Sequence, residues 1–590
     1  MTSSLNIVGI SAHHHDAACC LLMDGRLVAA AEEERFSRVK HDSRLPWQAF
    51  QYCLREGGLS ITDVDCVAWY ENPQKKLERQ IWSMLVARRP LPKLDPQRVE
   101  REIRECLGFA GRIEYTDHHL AHAASSFFYS GFNEAALMTV DGVGEWATAT
   151  YGRGCGTTLD LFERVEFPHS IGLLYSTMTS YLGFAVNEAE YKVMGLAPYG
   201  RPRYRDKIHA LLRSGPRGQF SLDLRYFDFS NWERMFSDEL PRLFGAAPRQ
   251  PESEILTFHQ DVAASLQVVL EEVLLEKVRY LHEVVPVDSL CMAGGVALNC
   301  VANGRIRKSG PFKALFVQPA ATDAGGALGA AAIALGRMSA GRVSCAPMTT
   351  ACLGPHFSNE EIRALLAPTG LCYRDYAGKR EALLRDVAQR LASGEVVGWF
   401  QGRMEFGPRA LGARSILADP RRPDMRDRIN ASVKRRESFR PFAPAVLQER
   451  VEDHFDLDHP SPYMLETCGV RSPLGLPAVT HVDGSARVQT VDADCNPRFA
   501  ALLREFERIT GCPILLNTSF NLRGEPIVLS PMHALRTFSR SAIDLLVLED
   551  FVIEHRDIPD IFVQQSELLA EEHSREEQPG AVGHAVYTFF

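Results

Sequence analysis

The sequence has 14 cysteines in 590 residues but no Cys-x-x-Cys pair and no finger-type spacing, and the adjacent Cys19 and Cys20 lie inside an apolar run. That absence argues against a zinc module or a disulfide framework; reduced core thiols of a cytoplasmic protein are expected. Long apolar runs are missing too. The longest, Ala324 to Leu335, is short and Gly/Ala-rich, so no membrane partner is expected. The start, Met-Thr-Ser-Ser-Leu-Asn, lacks the basic residues and apolar core of a secretory signal. Nor is there an excess of positive charge: the net charge of -9 counts against nucleic acid held by the whole surface and leaves only a local basic cleft open. What remains is the composition of an ordinary soluble enzyme, too long for one core, with two or three domains expected.

The chain is organised around Asp117-His118-His119-Leu120-Ala121-His122 and the strand that ends at Asp141-Gly142. With a helix over Leu120 to Tyr129, His118 and His122 project from one face about a turn apart and can share a metal. Asp141, at the end of a buried strand, can complete a His/His/Asp site, and Gly142 lets backbone N–H groups approach an anion. A zinc-protease reading is disfavoured because His119, not Glu, follows the first histidine. Two ordinary packed histidines stay open as the plain alternative.

Strands are expected at Leu5 to Ser11, Ala17 to Met23 and Arg26 to Ala31, with a hairpin at Asp24-Gly25. The order recurs at Ala135 to Val140, Trp146 to Tyr151 and Leu159 to Val165, with the second hairpin turn placed at Gly152-Arg153-Gly154. A unit used twice predicts an internally duplicated α/β domain and resembles the actin, hexokinase and Hsp70 superfamily. Next come a periodic helix from Phe258 to His282, a strand Ser289 to Met292 and the loop Gly294-Gly295 to Asn299, a candidate phosphate or nucleoside contact. Asp323 follows another strand and opens an Ala-rich helix, where it serves either as a cap or as a further carboxylate of the site.

The small, polar stretch from Gly336 to about Thr350 marks the domain boundary, giving domains 1–345 and 346–590. The second domain is expected to hold a helix near Asn359 to Leu366, strands at Glu395 to Phe400, Ala443 to Leu447 and Ile514 to Asn517, and a helix from Asp424 to Ala431. The tail from Ser566 is expected to be mobile. Between Arg403 and Arg440 the chain is dense in arginine, and Gly402, Gly407-Pro408 and Gly412 break its early part into loop. Cations on constrained backbone suit polyphosphate, and aromatic residues do not interleave with them as stacking on nucleic acid requires.

Taken together, His15-Asp16, the run Ala30 to Arg38, Asp117 to Ala123, Asp141-Gly142, Asn187-Glu188 to Tyr199, Gly294 to Asn299 and Asn517-Thr518-Ser519-Phe520-Asn521 resemble the O-carbamoyltransferases of antibiotic and nodulation-factor biosynthesis. The resemblance implies two steps. A YrdC-like C-terminal domain makes carbamoyladenylate from carbamoyl phosphate and ATP with Mg2+; the N-terminal domain passes the carbamoyl group to a small-molecule hydroxyl acceptor and releases AMP. It further implies that His118, His122, Asp141 and Asp323 hold Fe2+ or another divalent metal, and that His15, of the run His13-His14-His15, is the base. Gly142, Gly294, Gly295 and Asn299 would line the nucleotide. Arg409, Arg440, Arg487, Asn517 and the pairs Lys434/Arg436 and Ser519/Asn521, which match the YrdC-like Lys-x-Arg and Ser-x-Asn signatures, would bind carbamoyl phosphate and ATP. A homodimer is left open. A tRNA threonylcarbamoylation fusion and a non-catalytic nucleotide sensor are the competing readings, and the acceptor is not legible.

Overall fold

The structure, a computed structural model, describes residues 4–87, 95–229 and 234–576. The chain packs as two compact units; among the described residues, one comprises 4–33 and 41–348 and the other 34–40 and 349–576. Placing 34–40 in the second unit departs from the sequence expectation of an unbroken first domain. The reason is side-chain chemistry: Arg35 donates to the Gly407 carbonyl at 3.0 Å, and Arg38 donates to the carbonyls of Pro526 and Ile527 at 2.7 and 2.6 Å.

Two five-stranded sheets build the first unit. In the first, β1 (Asn6–Ser11) lies centrally, with β2 (Ala18–Met23) and β3 (Arg26–Glu32) antiparallel on one side and β4 (Cys66–Trp69) and β5 (Arg112–Tyr115) parallel on the other. In the second, β6 (Glu134–Val140) is flanked in the same way by β7 (Ala147–Cys155) and β8 (Thr158–Glu166), and by β9 (Ser289–Ala293) and β10 (Ala314–Val317). The two sheets therefore share strand order and strand direction, as duplication requires. Asp24 and Gly25 both take positive φ, 47° and 81°, the conformation a two-residue hairpin needs. The β7–β8 turn, in contrast, is not at Gly152-Arg153-Gly154 but at Gly156, with φ 57°. Gly152 and Gly154 are in-strand glycines at close approaches: a Cβ on them would meet the Asp160 carbonyl at 2.4 Å and the Phe127 ring at 2.6 Å.

Four helices of this unit matter for the site: α1 (Pro73–Ala87), α2 (His118–Phe127), the long α3 (Thr257–Val284) and α4 (Asp323–Met338). Helix α2 begins two residues before the expected Leu120, because the Glu145 carboxylate accepts the His118 amide from across the fold. It packs on β6 and β9, while α4 packs on β1, β2 and β4, and the two helices lie against each other. Gly329 permits that approach, since a Cβ there would sit 1.8 Å from the Ala121 carbonyl. The Ala/Gly-rich sequence that made α4 look unlike a membrane span is thus the surface of a close helix crossing.

The second unit is a mixed eight-stranded sheet over a continuous apolar core. Its strands are β11 (Arg374–Asp375), β12 (Val397–Phe400), β13 (Arg414–Ala418), β14 (Ala443–Leu447), β15 (Gln489–Val491), β16 (Ile514–Ser519), β17 (Leu545–Leu548) and β18 (Phe551–Glu554), in the order β11-β18-β17-β12-β13-β16-β14-β15. The helix at Asn359–Leu366 forms as expected behind a Ser358/Glu361 capping box. The helix expected over Asp424 to Ala431 is α-helical only at Met425–Arg428 and becomes a π turn at Ile429–Val433, where the Lys434 amide bonds the Ile429 carbonyl. Of the tail expected to be mobile, the part from Ser566 to Glu576 is helical, with Ser566 buried, and 577–590 lie outside the described residues.

Candidate metal centre and anion site

In the first unit, the start of α2 brings His118 and His122 under the ends of two structural elements. Asp141 leaves β6, and Asp323 is the first residue of α4, with Thr322 as its cap. The two Nε2 atoms are 3.0 Å apart; Asp141 Oδ2 lies 3.2 Å from His118 and 3.7 Å from His122, and Asp323 Oδ1 lies 3.7 and 3.8 Å from them. One ligand atom from each of the four falls within 4.8 Å of all the others. Asp141 is oriented by the Gly295 amide, which donates to its Oδ1 at 2.9 Å and leaves Oδ2 toward the histidines. Gly294 makes that approach feasible at φ 94°, with the Val140 carbonyl 2.3 Å from where a Cβ would be. Two imidazole nitrogens and two carboxylate oxygens so converged fit a divalent transition metal.

The electrostatics show how strongly the four groups act on one another, and a metal would take the place of the His118 proton. Burial works to lower the His118 pKa, but the Asp323 and Asp141 carboxylates outweigh it and lift it to about 9. The same burial would raise Asp141 and Asp323, yet the facing histidines hold both below the ordinary carboxylate range. Nearby, burial and then the neighbouring His118 and His122 push His119 down to about 3; it bonds Thr139 at 2.6 Å and points away from the cluster.

The triple histidine is resolved by geometry. His13 reaches Glu102 at 2.7 Å and tilts against Trp69, so it is spent elsewhere. His14 Nδ1 lies 3.2 Å from Asp323 Oδ2, and His15 Nδ1 lies 3.0 Å from Asp16; both face the Asp323 side of the cluster. Burial would lower His15, but Asp16 reverses this and raises it to about 10. Gly142 is held through its carbonyl by Ser170 at 2.7 Å. Asn299, expected to line a nucleotide, caps the helix Cys300–Ser309 with its side-chain oxygen at Ala302, and its side-chain amide pairs with Gln267.

In the second unit the Lys-x-Arg and Ser-x-Asn segments meet. Lys434, only 3% exposed, donates to Asn521 Oδ1 at 2.7 Å, to the Asn521 carbonyl at 3.0 Å, to Ser519 Oγ at 3.1 Å and to the Ser519 carbonyl. Burial, with Arg436 and Arg440 beside it, holds the Lys434 pKa well below its usual range. Arg436 packs over Phe442 at 4.7 Å and donates to Asn430 at 2.8 Å. Asn517, expected as a ligand contact, also has a structural task. Its amide donates to the Ala410 carbonyl at 3.2 Å and to Gln489 Oε1 at 2.7 Å, while Gln489 donates to the Leu411 carbonyl. It therefore pins the loop bearing Arg409 to the strand that follows Arg487. Arg487 itself is half-buried, and its Nε has no partner among the described residues.

Known proteins match both halves of the chain. A family model described as the carbamoyltransferase N-terminus covers residues 6–332, and one described as the carbamoyltransferase C-terminus covers 388–555. The chain belongs to the carbamoyltransferase family. It is a transferase. Relatives of this carbamoyltransferase include an uncharacterized Synechocystis protein, 46% identical over 93% of this chain and 96% of its own length. Nodulation protein NolNO of Sinorhizobium fredii is 39% identical over 89% of this chain and 77% of its own. Among solved structures, a ROK hexokinase from Thermus thermophilus spans 55% of this chain and 97% of its own at 13% identity and a TM-score of 0.28, a likeness too faint to carry an argument. No helix among the described residues is long and apolar enough to cross a membrane.

Two residues beside the four ligand candidates were given no role by the sequence. Tyr70 donates its hydroxyl to Asp323 Oδ2 at 3.3 Å, and Glu145 anchors α2 by accepting the amides of Asn72 and His118 at 2.6 and 2.9 Å. Tyr70 follows β4 with no motif around it. Glu145 had a signal, an acid in a glycine loop, but its partner lies 27 residues away.

Proposed function

We propose that the protein is an ATP-dependent O-carbamoyltransferase working in two steps, with an actin/Hsp70-like first domain and a YrdC-like second. In the second domain, water cleaves carbamoyl phosphate to carbamate and phosphate. A carbamate oxygen then attacks the α-phosphorus of ATP and displaces pyrophosphate as its Mg2+ complex, leaving carbamoyladenylate. In the first domain, an acceptor hydroxyl attacks the carbamoyl carbon; its proton goes to a histidine, and AMP leaves.

What carries this reading is Lys434. A buried ammonium caged by neutral oxygens, with Arg436 and Arg440 adding positive charge, is a poor structural choice and a good polyanion site. Carbamate is a weak electrophile, and joining it to AMP supplies the leaving group. His118, His122, Asp141 and Asp323 would hold a divalent metal, Fe2+ in the family resemblance, supplying a Lewis acid for the leaving phosphate. The Gly295 amide orients Asp141 against this charge. His15, bonded to Asp16, and His14, bonded to Asp323, are the groups placed to take the hydroxyl proton, with His15 the first choice; it must lose its own proton before it can act.

The test is pyrophosphate release from ATP with and without carbamoyl phosphate, beside Lys434→Ala. Release that requires carbamoyl phosphate and falls at least about a hundredfold in the variant is expected, the scale of losing a charged contact to a reacting phosphate. Release indifferent to carbamoyl phosphate would overturn the reading.

A further inference from the structure

Helix α1 carries three cations near its start, and two of them are paired. Lys75 bonds Asp117 at 2.7 and 2.9 Å, and Lys76 bonds Glu71 at 2.8 Å. Arg79, one turn on, is different. It is 3% exposed, yet its Nε and Nη1 have no hydrogen-bond partner among the described residues. The nearest acids, Glu71 and Glu145, are already engaged: Glu71 by Lys76, and Glu145 by the amides of Asn72 and His118. What lies under the guanidinium is the Phe167 ring, 5.8 Å away.

An unpaired buried guanidinium is costly, and a fold retains one where a ligand supplies the partner. Next to it is an aromatic surface. Trp82, one turn further along α1, is 41% exposed and stands edge-on to Trp146 at 5.6 Å and to Phe167 at 6.2 Å. Trp146 directly follows Glu145, the carboxylate that fixes His118, so this surface borders the metal centre. A planar cation beside exposed ring faces suits one kind of molecule: a ring with an apolar face and an oxyanion on its edge.

We infer that Arg79 and Trp82 form the acceptor subsite, and that the acceptor is a glycoside bearing a carboxylate, sulfate or phosphate group, with the ring against Trp82 and the oxyanion on Arg79. The inference rests on the carbamoyl-transfer reading for the word acceptor, but the binding chemistry stands apart from it. The same oxyanion chemistry has a second source, the phosphate of AMP, which the experiment separates.

Calorimetric titrations of the full-length protein with methyl β-D-glucuronide, methyl β-D-glucoside and AMP, without ATP or carbamoyl phosphate, test it. The wild type should bind the glucuronide about tenfold or more tightly than the glucoside, the scale of one charge-assisted contact. Arg79→Gln should erase that preference, Arg79→Lys should restore part of it, and Trp82→Ala should weaken both sugars alike. The AMP affinity should not move in Arg79→Gln. Because the substitution removes a buried charge whose Nε and Nη1 make no hydrogen bond among the described residues, its melting temperature should hold or rise, whereas a structural arginine would lose stability. Equal binding of the two sugars by the wild type would overturn the inference, as would an Arg79→Gln variant that loses AMP and keeps the preference. Since these titrations involve no adenylate chemistry, they can fail while carbamoyl-phosphate-dependent pyrophosphate release stands, and the reverse.

Discussion

The two units bury charge in opposite ways. In the first, two acids face two histidines, the acids lifting the His118 pKa and His118 in turn lowering that of Asp323, and the four ligand atoms converge closely enough to share a cation. In the second, one lysine is bonded by oxygens that carry no charge, and of the charged groups that act on it Arg436 and Arg440 outweigh Glu525. The donor set of the first fits a cation, and the second is the anion site proposed above. The lesson is that burial alone does not define a site: the kind of groups gathered there does.

The sharpest way to break the contrast is Asp323→Ala. It removes a ligand from the first centre only. Metal content by elemental analysis should fall from near one per chain to near zero, and carbamoyl transfer by about a hundredfold or more, while unit 2 keeps its phosphate affinity. Parallel loss of phosphate binding would refute the independence of the two centres.

Arg38→Ala tests the second unit from the N-terminal side of the chain. Arg38 is held by two carbonyls of the loop that follows Asn521, and burial brings its pKa down to about 10. Phe36 packs beside it against Met404, Ala410, Ile527 and Leu529. Losing both charged hydrogen bonds should cost about 3 kcal/mol, read as a lower denaturant midpoint for the second unit. An unchanged midpoint would mean that residues 34–40 are not part of its fold.

The effect that is smallest at neutral pH, and grows only in acid, is that of His119. His119 is held neutral with its pKa at about 3, against about 6.5 in an unfolded chain. Between those values the unfolded state binds the extra proton, so stability falls as pH drops from 6.5 toward 3, by up to about 1.4 kcal/mol per pH unit. No contribution remains above pH 6.5. His119→Gln should flatten that limb of the urea-midpoint profile, and an unaltered slope would show that other groups dominate it.

Much of this was legible in the chain. The spacing of His118 and His122 required one helical face, because the period of an α-helix depends on backbone geometry alone. The Asp24-Gly25 hairpin and the repeated strand order follow from local turn chemistry and alternation. The pairing of Lys434 with Ser519 and Asn521 was reached by resemblance, across 85 residues that no local rule spans. The second hairpin turn was misplaced for the same physical reason. Glycines 152 and 154 look like a turn, but their lack of a side chain serves packing against Phe127 and Asp160. The amides of Asn517 and Asn299 also hold the backbone around them, a task that no motif announces.

The sequence by itself determined the elements, the duplication and the types of side chain at each strand end, since these depend on short-range sterics and hydrophobic period. Tertiary structure alone decided which charges meet. It turned His13 to Glu102 and left His14 and His15 at Asp323, brought residues 34–40 to the second unit, and left Nε and Nη1 of Arg79 without a hydrogen-bond partner among the described residues. Those outcomes depend on distances between segments far apart in the chain, and a charge reveals its role only once its neighbours are fixed.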